Sequence, residues 1–371
     1  MGWILKYLRS KLTACRRRGS PRGHAENDDR ESCSGRGSES SPLSVARYSW
    51  GAIEALTSGF STVIGSGGFS TVYLGRISGG AASKLAAVKV HYGSERLHLA
   101  FKQELDILLR LRHESIVSLL GYSDNPDSGA LIFEYVSNGH LQEKLHGGSE
   151  KQPVLPWRAR VRIAFQLAQT LEFLHDKCAL HIVHGDLKSS NILLDENLNC
   201  KLCDFGFSKL GFSSTVLMPS PRSKHVMMGS PGYVDPQYLK TGIASKKNDI
   251  YSFGVVVLEM VMGLEAFCAE RGHLAGLAAP ALRDLERWTA EEVAEMVDPR
   301  LKGEFDVEEV RAMLHIARLC LNQSPAVRPS AVRVVQLMSE KISSVFFDWA
   351  WKCRGKTPSN KKTASIDNSM H

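Results

Sequence analysis

Residues 181–194 read HIVHGDLKSSNILL, and this stretch constrains the architecture more than any other. Asp186, Lys188 and Asn191 stand at spacings of two and three between two apolar runs. An acid, a base and an amide left unpaired in a core would each be costly. Three such side chains held beside the strand-like NILL therefore describe a loop that carries a site.

The texture of the chain places that loop. Around it, FSTVIGSGGFSTVYLGRI and KLAAVKVHY read as short β-branched strands joined by glycine turns. LHLAFKQELDILLRLRH (97–113) has helical periodicity, with Leu105, Leu108, Leu109 and Leu111 on or near one side. SIVSLLGYS and GALIFEYVS read as further strands. After Asn138 the pattern turns helical, in WRARVRIAFQLAQTLEFLHDK, NDIYSFGVVVLEMVMG, AEEVAEMVD and VEEVRAMLHIARLCLN. A β-rich portion thus precedes a helix-rich one, with the loop near the start of the second. At 371 residues the chain suffices for one large two-lobed domain or two ordinary ones. Its 43% apolar and 23% charged content is that of a soluble globular protein. No window of about 18 uncharged apolar residues occurs, so no transmembrane helix is expected. YSFGVVVLEMVMG (251–263) is interrupted by Glu259 and reads as a buried helix.

The net charge of +7 is uneven: residues 1–18 carry +6, residues 352–371 carry +4, and the rest carries −3. Trp3, Ile4, Leu8 and Leu12 share one face of a basic N-terminal segment, as an interfacial helix on an anionic membrane requires. A disordered basic tail reads equally well. Gly2 meets Lys6 where a myristoylation signal wants Ser or Thr, while Cys15 beside Arg16–Arg18 suits reversible palmitoylation better. Residues 19–44 are polar and Ser/Gly-rich, a flexible linker. The tails lack aromatic interleaving, so no nucleic-acid partner is expected. Eight scattered cysteines point to a reducing compartment, and Cys200-x-x-Cys203, without a second pair, reads as core.

Glycines 65, 67 and 68 in GSGGFSTVYLG lie between two strands, which suits a flap over phosphates better than a dinucleotide site, where a helix should follow. Lys89 in AAVKV would be expensive inside an apolar strand unless paired, and Glu104 on the following helix is the candidate partner. Asp186 and Asn191, followed by Asp204 in CDFGFS, are oxygen donors of the kind a hard divalent ion takes when it also binds phosphate.

Together, in this order, the set resembles the eukaryotic protein kinase family, over roughly residues 58–345. LLGYS, FEYVSNGHL, DIYSFGVVVLEM and VDPRL look like the Pelle-related plant receptor-like kinases. With no ectodomain or membrane span, the chain is similar to a receptor-like cytoplasmic kinase of the non-RD type. The resemblance implies an α+β, two-lobed kinase fold: a small antiparallel-sheet lobe (58–137) and a large helical lobe (138–345). Residues 1–57 would be basic segment and linker, and 346–371 a basic tail. It implies that Ile64, Gly65, Ser66, Gly67, Gly68, Phe69 and Val72 cover ATP, and that Lys89, oriented by Glu104, holds its phosphates. Phe133 would close the back of the adenine pocket and the Glu134–Val136 backbone would bind the adenine edge. Asp186 would accept the proton of the substrate hydroxyl and Lys188 steady the γ-phosphate. Asn191 and Asp204 would hold Mg²⁺ or Mn²⁺. The Asp-x-Lys-x-x-Asn form implies Ser/Thr acceptors on protein substrates, with a membrane receptor kinase as a further partner, in the cytoplasm or peripherally at the plasma membrane.

Three departures qualify the resemblance. Gly185 stands where most of the family has an arginine that senses activation-loop phosphorylation. Ser70 replaces the third flap glycine. Gln237, in GYVDPQY, replaces a glutamate expected to pair with Arg328, so that ion pair is lost. Ser213, Ser214, Thr215, Ser220 and Ser223 are either phosphosites or ordinary loop residues, whereas Ser230 is expected to contact Asp186 and Lys188. The alternative to an active kinase is a weakly active kinase-fold scaffold that binds ATP and receptor partners.

Overall fold

The computed structural model describes residues 45–67, 70–78, 83–92, 95–125, 128–147, 153–211 and 229–345. Six strands make one sheet: β1 (Ala46–Arg47), β2 (Val63–Ser66), β3 (Thr71–Ile77), β4 (Lys84–Tyr92), β5 (Leu119–Asn125) and β6 (Ser128–Glu134). Their order is β1-β5-β6-β4-β3-β2, antiparallel except for the β1–β5 pair. Helix α1 (Trp50–Leu56) precedes β2, and α2 (Glu95–Arg110) links β4 to β5.

The spelling of β4 decides what each face of the sheet does. Successive side chains alternate across a strand. Ala86, Val88 and Val90 are fully buried and form one small core with Ile53 and Leu56 of α1 and with Ala130 and Ile132 of β6. The intervening Lys89 and His91 fall on the opposite face, toward α2. Gly75 of β3 permits the first packing: a Cβ there would lie 2.2 Å from the Leu56 side chain and 2.9 Å from that of Val88.

The small core also moves a boundary. The change in texture at residue 58 placed residues up to 57 in a linker, yet Ala46–Arg47 pairs with β5 and α1 seals the sheet, with Ile53 fully buried. A two-residue strand and a helix of two turns are too short to show a period. Residues 1–44 and 346–371, which carry the expected membrane segment, lipidation sites and C-terminal tail, lie outside the described residues, as do Ser213 to Ser223.

Beyond β6 the helices dominate: α3 (Leu141–His146), α4 (Trp157–Glu172), α5 (Pro236–Thr241), α6 (Lys246–Met262), α7 (Leu274–Arg283), α8 (Ala290–Ala294), α9 (Val307–Cys320) and α10 (Ala331–Lys341). Two short antiparallel pairs lie between α4 and α5, one joining β7 (His181–Val183) to β10 (Lys209–Gly211) and the other β8 (Ile192–Leu194) to β9 (Cys200–Leu202). Every residue of α6 from Asp249 to Met262 is buried. A helix buried on all sides is a core element, and α6 is the axis against which the helical lobe packs. Ser245 and Asn248 cap its start reciprocally, and Gly263 ends it in the left-handed region at φ 64°. The whole is α+β. Among the described residues no helix is long and apolar enough to cross a membrane.

Candidate active site

On the sheet side, strand register sets the first row of the site. Gly65 on β2 faces Val72 on β3, and Val72 faces Lys89 on β4. Ser66 pairs with Thr71, and the Gly67 N–H donates to the Ser70 carbonyl at 2.8 Å, so the serine in place of the third glycine closes the turn through its main chain. Ile64 is exposed on β2, and Gly68 and Phe69 lie outside the described residues.

Lys89 is buried, and its Nζ donates to Glu104 Oε1 at 2.8 Å, Glu104 Oε2 at 3.0 Å and Asp204 Oδ1 at 2.8 Å. Burial opposes the ammonium charge, but Glu104 and Asp204 outweigh it and raise the lysine pKa. Burial works against the charge on Asp204 too, yet Lys89 holds its carboxyl below the ordinary range. At Glu104, 1% exposed, burial pushes the pKa up and Lys89 offsets it only in part. Beside this cluster, His91 Nε2 lies 3.5 Å from Glu104 Oε2, too far for a good hydrogen bond, and has no hydrogen-bond partner among the described residues. Burial first, and Lys89 second, push its pKa down to about 4.

β6 runs from the sheet into the segment joining the lobes. Phe133 pairs with Ala87 and Leu119. The Glu134 carboxylate turns back to accept from the Ser118 N–H at 2.9 Å and from Lys201 Nζ at 2.8 Å. That anchors the segment entering Val136 while leaving the Glu134 carbonyl and the Val136 main chain outside the anchor's contacts.

The quoted loop bridges β7 and β8. Ser230 Oγ donates to Asp186 Oδ1 at 2.9 Å, and Lys188 Nζ donates to Ser230 Oγ at 2.9 Å and reaches Asp186 Oδ2 at 2.8 Å. The contact expected of Ser230 is therefore present. Asn191 Nδ2 donates to the Asp186 carbonyl at 2.9 Å, and the Asn191 carbonyl accepts from the Cys203 N–H at 3.0 Å, next to Asp204. Asp204 adopts φ 64°. The Asn191 amide oxygen and the ionised Asp204 carboxylate are hard oxygen donors, which fits a divalent ion shared with phosphate.

What holds this loop was not apparent in the sequence. Asp249, on the first turn of α6, accepts from the main-chain N–H groups of His184 at 2.8 Å and Gly185 at 2.9 Å and contacts His175 Nε2 at 2.8 Å. Burial opposes its charge most strongly, but the His175 ring, the His184 ring and the Gly185 N–H together outweigh it, so its pKa is lowered. Glu259, which seemed only to interrupt an apolar run, accepts from Tyr233 OH at 2.8 Å and from Ser189 Oγ at 3.3 Å, and contacts His146 Nε2 at 3.1 Å. Gly185 has φ 82°, and a Cβ there would lie 2.8 Å from the Phe207 carbonyl oxygen.

The reading of Gln237 as a lost ion pair needs correction. Arg328 is fully paired without it, through NH1 to Asp235 Oδ2 at 2.6 Å and NH2 to Asp235 Oδ1 at 2.8 Å. Both partners are buried, and the bidentate geometry supplies the anchor that a glutamate at 237 would have given.

The model of the protein kinase domain family matches residues 60–338. A probable receptor-like protein kinase of Arabidopsis thaliana is 52% identical over 309 residues, covering 81% of this chain and 89% of the relative. The salt tolerance receptor-like cytoplasmic kinase 1 of Oryza sativa subsp. japonica is 50% identical over 310 residues, covering 81% of this chain and 82% of the relative. A probable LRR receptor-like serine/threonine-protein kinase of Arabidopsis thaliana is 40% identical over 301 residues, 80% of this chain but 33% of that longer protein. The chain belongs to the protein kinase family, whose members use ATP and a divalent metal ion to phosphorylate proteins.

Proposed function

We propose that the protein transfers the γ-phosphate of ATP to serine or threonine hydroxyls of protein substrates, in signalling alongside or downstream of a membrane receptor kinase. The observation that carries this reading is the simultaneous assembly of Lys89 with Glu104 and Asp204, and of Asp186 with Lys188 and Ser230. Phosphoryl transfer needs little covalent help, so positioning and charge neutralisation supply most of the catalysis.

In this reading the flap from Ile64 to Val72 covers ATP, and the main chain of Glu134 and Val136 takes the adenine edge. Lys89, kept charged by its two carboxylates, holds the α- and β-phosphates. Asp186 orients the acceptor hydroxyl and takes its proton, and Lys188 offsets charge on the γ-phosphate. Asn191 and Asp204 would hold Mg²⁺ or Mn²⁺. That ion, when bound, shields the phosphate charge against which the hydroxyl must approach. The Asp-x-Lys-x-x-Asn spacing and the named serine/threonine relatives support the acceptor class. Gly185 offers no side chain to a phosphorylated loop residue, so the rate does not depend on activation-segment phosphate. Cytoplasmic placement, attachment of residues 1–18 to anionic membrane and the absence of a nucleic-acid partner belong to the same reading.

The test uses purified wild type with the Asp186→Asn and Lys89→Met variants, radiolabelled ATP, Mg²⁺ and a basic protein substrate. Transfer to Ser/Thr by the wild type, reduced by about a thousandfold or more in both variants, is expected. Phosphatase pretreatment should leave the wild-type rate unchanged. ATP binding without transfer would select the scaffold instead. Salt-sensitive binding to anionic vesicles, lost on deleting residues 1–18, is the expected result for membrane attachment; unchanged partition would remove it.

A further inference from the structure

Beside the end of the activation segment, α5, α7 and the chain following α9 enclose an open groove of about 1090 Å³. Its lining contains no aspartate or glutamate among the described residues. Besides Arg328, which is buried and paired with Asp235, three cationic side chains line it from three elements: Lys240 from α5, Arg283 from the end of α7 and Arg318 from α9. Lys240 and Arg283 form no ion pair among the described residues. Arg318 shares a contact of 3.1 Å with the largely exposed Glu286, a pairing of little strength in water. Leu239, 47% exposed, and Leu321 add apolar surface.

This concentration of positive charge stands out against the chain between the two basic tails, whose net charge is −3. It also accounts for Gln237, which lines the groove. A glutamate there would place a carboxylate among the cations. With Asp235 already serving Arg328, the amide leaves the lining free of negative charge. The groove lies next to the site, since Val234 lines both it and the narrow cleft containing Asp186 and Ser230.

We propose that this groove docks an acidic segment of the protein substrate, rich in Asp and Glu and carrying leucine-like side chains, beside the acceptor hydroxyl. The proposal rests on Asp186 being the partner of that hydroxyl. Cations spread over three elements of so large a groove suit successive carboxylates along a chain rather than a single phosphate.

Gly276 makes the test clean. It lines the groove, an added Cβ meets nothing within 4 Å, and it is the third residue of α7, where a glutamate suits the helix dipole. Gly276→Glu therefore adds negative charge without burdening the fold, and Arg283→Glu removes a cation. The full chain and both variants are titrated, by fluorescence anisotropy, against a labelled peptide of alternating Glu and Leu, its Lys/Leu counterpart and a phosphoserine peptide without carboxylates. Kinetics then compare a serine peptide with and without the Glu/Leu tract. The expected result is salt-sensitive binding of the acidic peptide, weakened about tenfold or more in each variant and retained in Gly276→Lys. The tract should lower KM for the wild type alone, with kcat and autophosphorylation unchanged. Equal binding by wild type and both variants, or parity of the acidic and basic peptides, would overturn the groove assignment. Preference for the phosphoserine peptide would overturn its assignment to carboxylates. Charge-dependent binding by a wild type that transfers no phosphate would instead refute the reading of Asp186 and leave the groove standing.

Discussion

On the sheet side of the cleft, Lys89 is held by direct contact with two carboxylates, and Nε2 of His91 next to them has no hydrogen-bond partner among the described residues. On the helical side, the reactive loop is gripped through its main chain by Asp249, while Glu259 ties Ser189 to Tyr233. In the proposed function the first arrangement would place the charges that act on the nucleotide, and it changes with any proton added nearby. The second touches no reacting group and works by satisfying every donor it meets. A cleft wall that rests on side-chain charge should respond to pH, and one that rests on buried main-chain hydrogen bonds should respond to deletion of its acceptor.

The largest stability effect should follow from removing that acceptor. Asp249→Ala leaves two main-chain N–H groups and the His175 ring without their carboxylate in a buried position. Losing one partner of a buried charged network costs on the order of 3–5 kcal/mol. Urea denaturation should show that loss, with Asp249→Asn intermediate because it keeps the shape and one acceptor. A change under about 1 kcal/mol for Asp249→Ala would break the comparison.

The sheet side should show its difference in acid. His91 titrates near 4 in the folded protein against 6.5 for the free ring, because burial and Lys89 disfavour its charge. The unfolded chain therefore binds the extra proton first, and stability falls as pH is lowered from about 6.5 toward 4. Above that window the ring is neutral in both states and adds no dependence on pH. Across it the loss reaches on the order of 3 kcal/mol. His91→Phe, which keeps a ring against Phe101, should flatten the profile of melting temperature against pH in that window. An unchanged acid slope would mean that other groups carry it.

These two carboxylate systems also differ in how far the sequence reveals them. Lys89, Glu104, Asp186, Asn191 and Asp204 are legible because their types are wrong for an apolar setting and their order along the chain is distinctive. Asp249 reads as an ordinary acid in the first turn of a helix. Glu259 reads as a flaw in an apolar run, since nothing local announces the hydroxyls that meet it. Asp235 could not be matched to Arg328 by spacing, as 93 residues separate them and the family pattern pointed to position 237. Strands β2 to β6 were legible from their β-branched content and glycine turns, whereas the antiparallel sheet came only with the family resemblance and β1 was not foreseen. Helix α7 was not foreseen, and with it the groove that α5 and α7 enclose, because pattern within a segment says nothing about the space between segments.

Gly185 lies on the helical wall and gives the smallest effect, one that separates backbone need from signalling. Its N–H donates to Asp249 while φ is 82°, in the region where a side chain is strained, and a Cβ would press on the Phe207 carbonyl oxygen at 2.8 Å. Gly185→Ala should therefore cost about 1–2 kcal/mol from the backbone alone, with the added contact tending to tilt the loop and lower kcat. Gly276→Ala is the matched control. Its helical position and open surroundings predict a gain of about 0.5–1 kcal/mol. If both substitutions shift the urea midpoint in the same direction, the left-handed turn at 185 is not what holds the loop. If they diverge as expected, the path of the chain at 185 favours glycine for its backbone, apart from any role of that position in sensing phosphate.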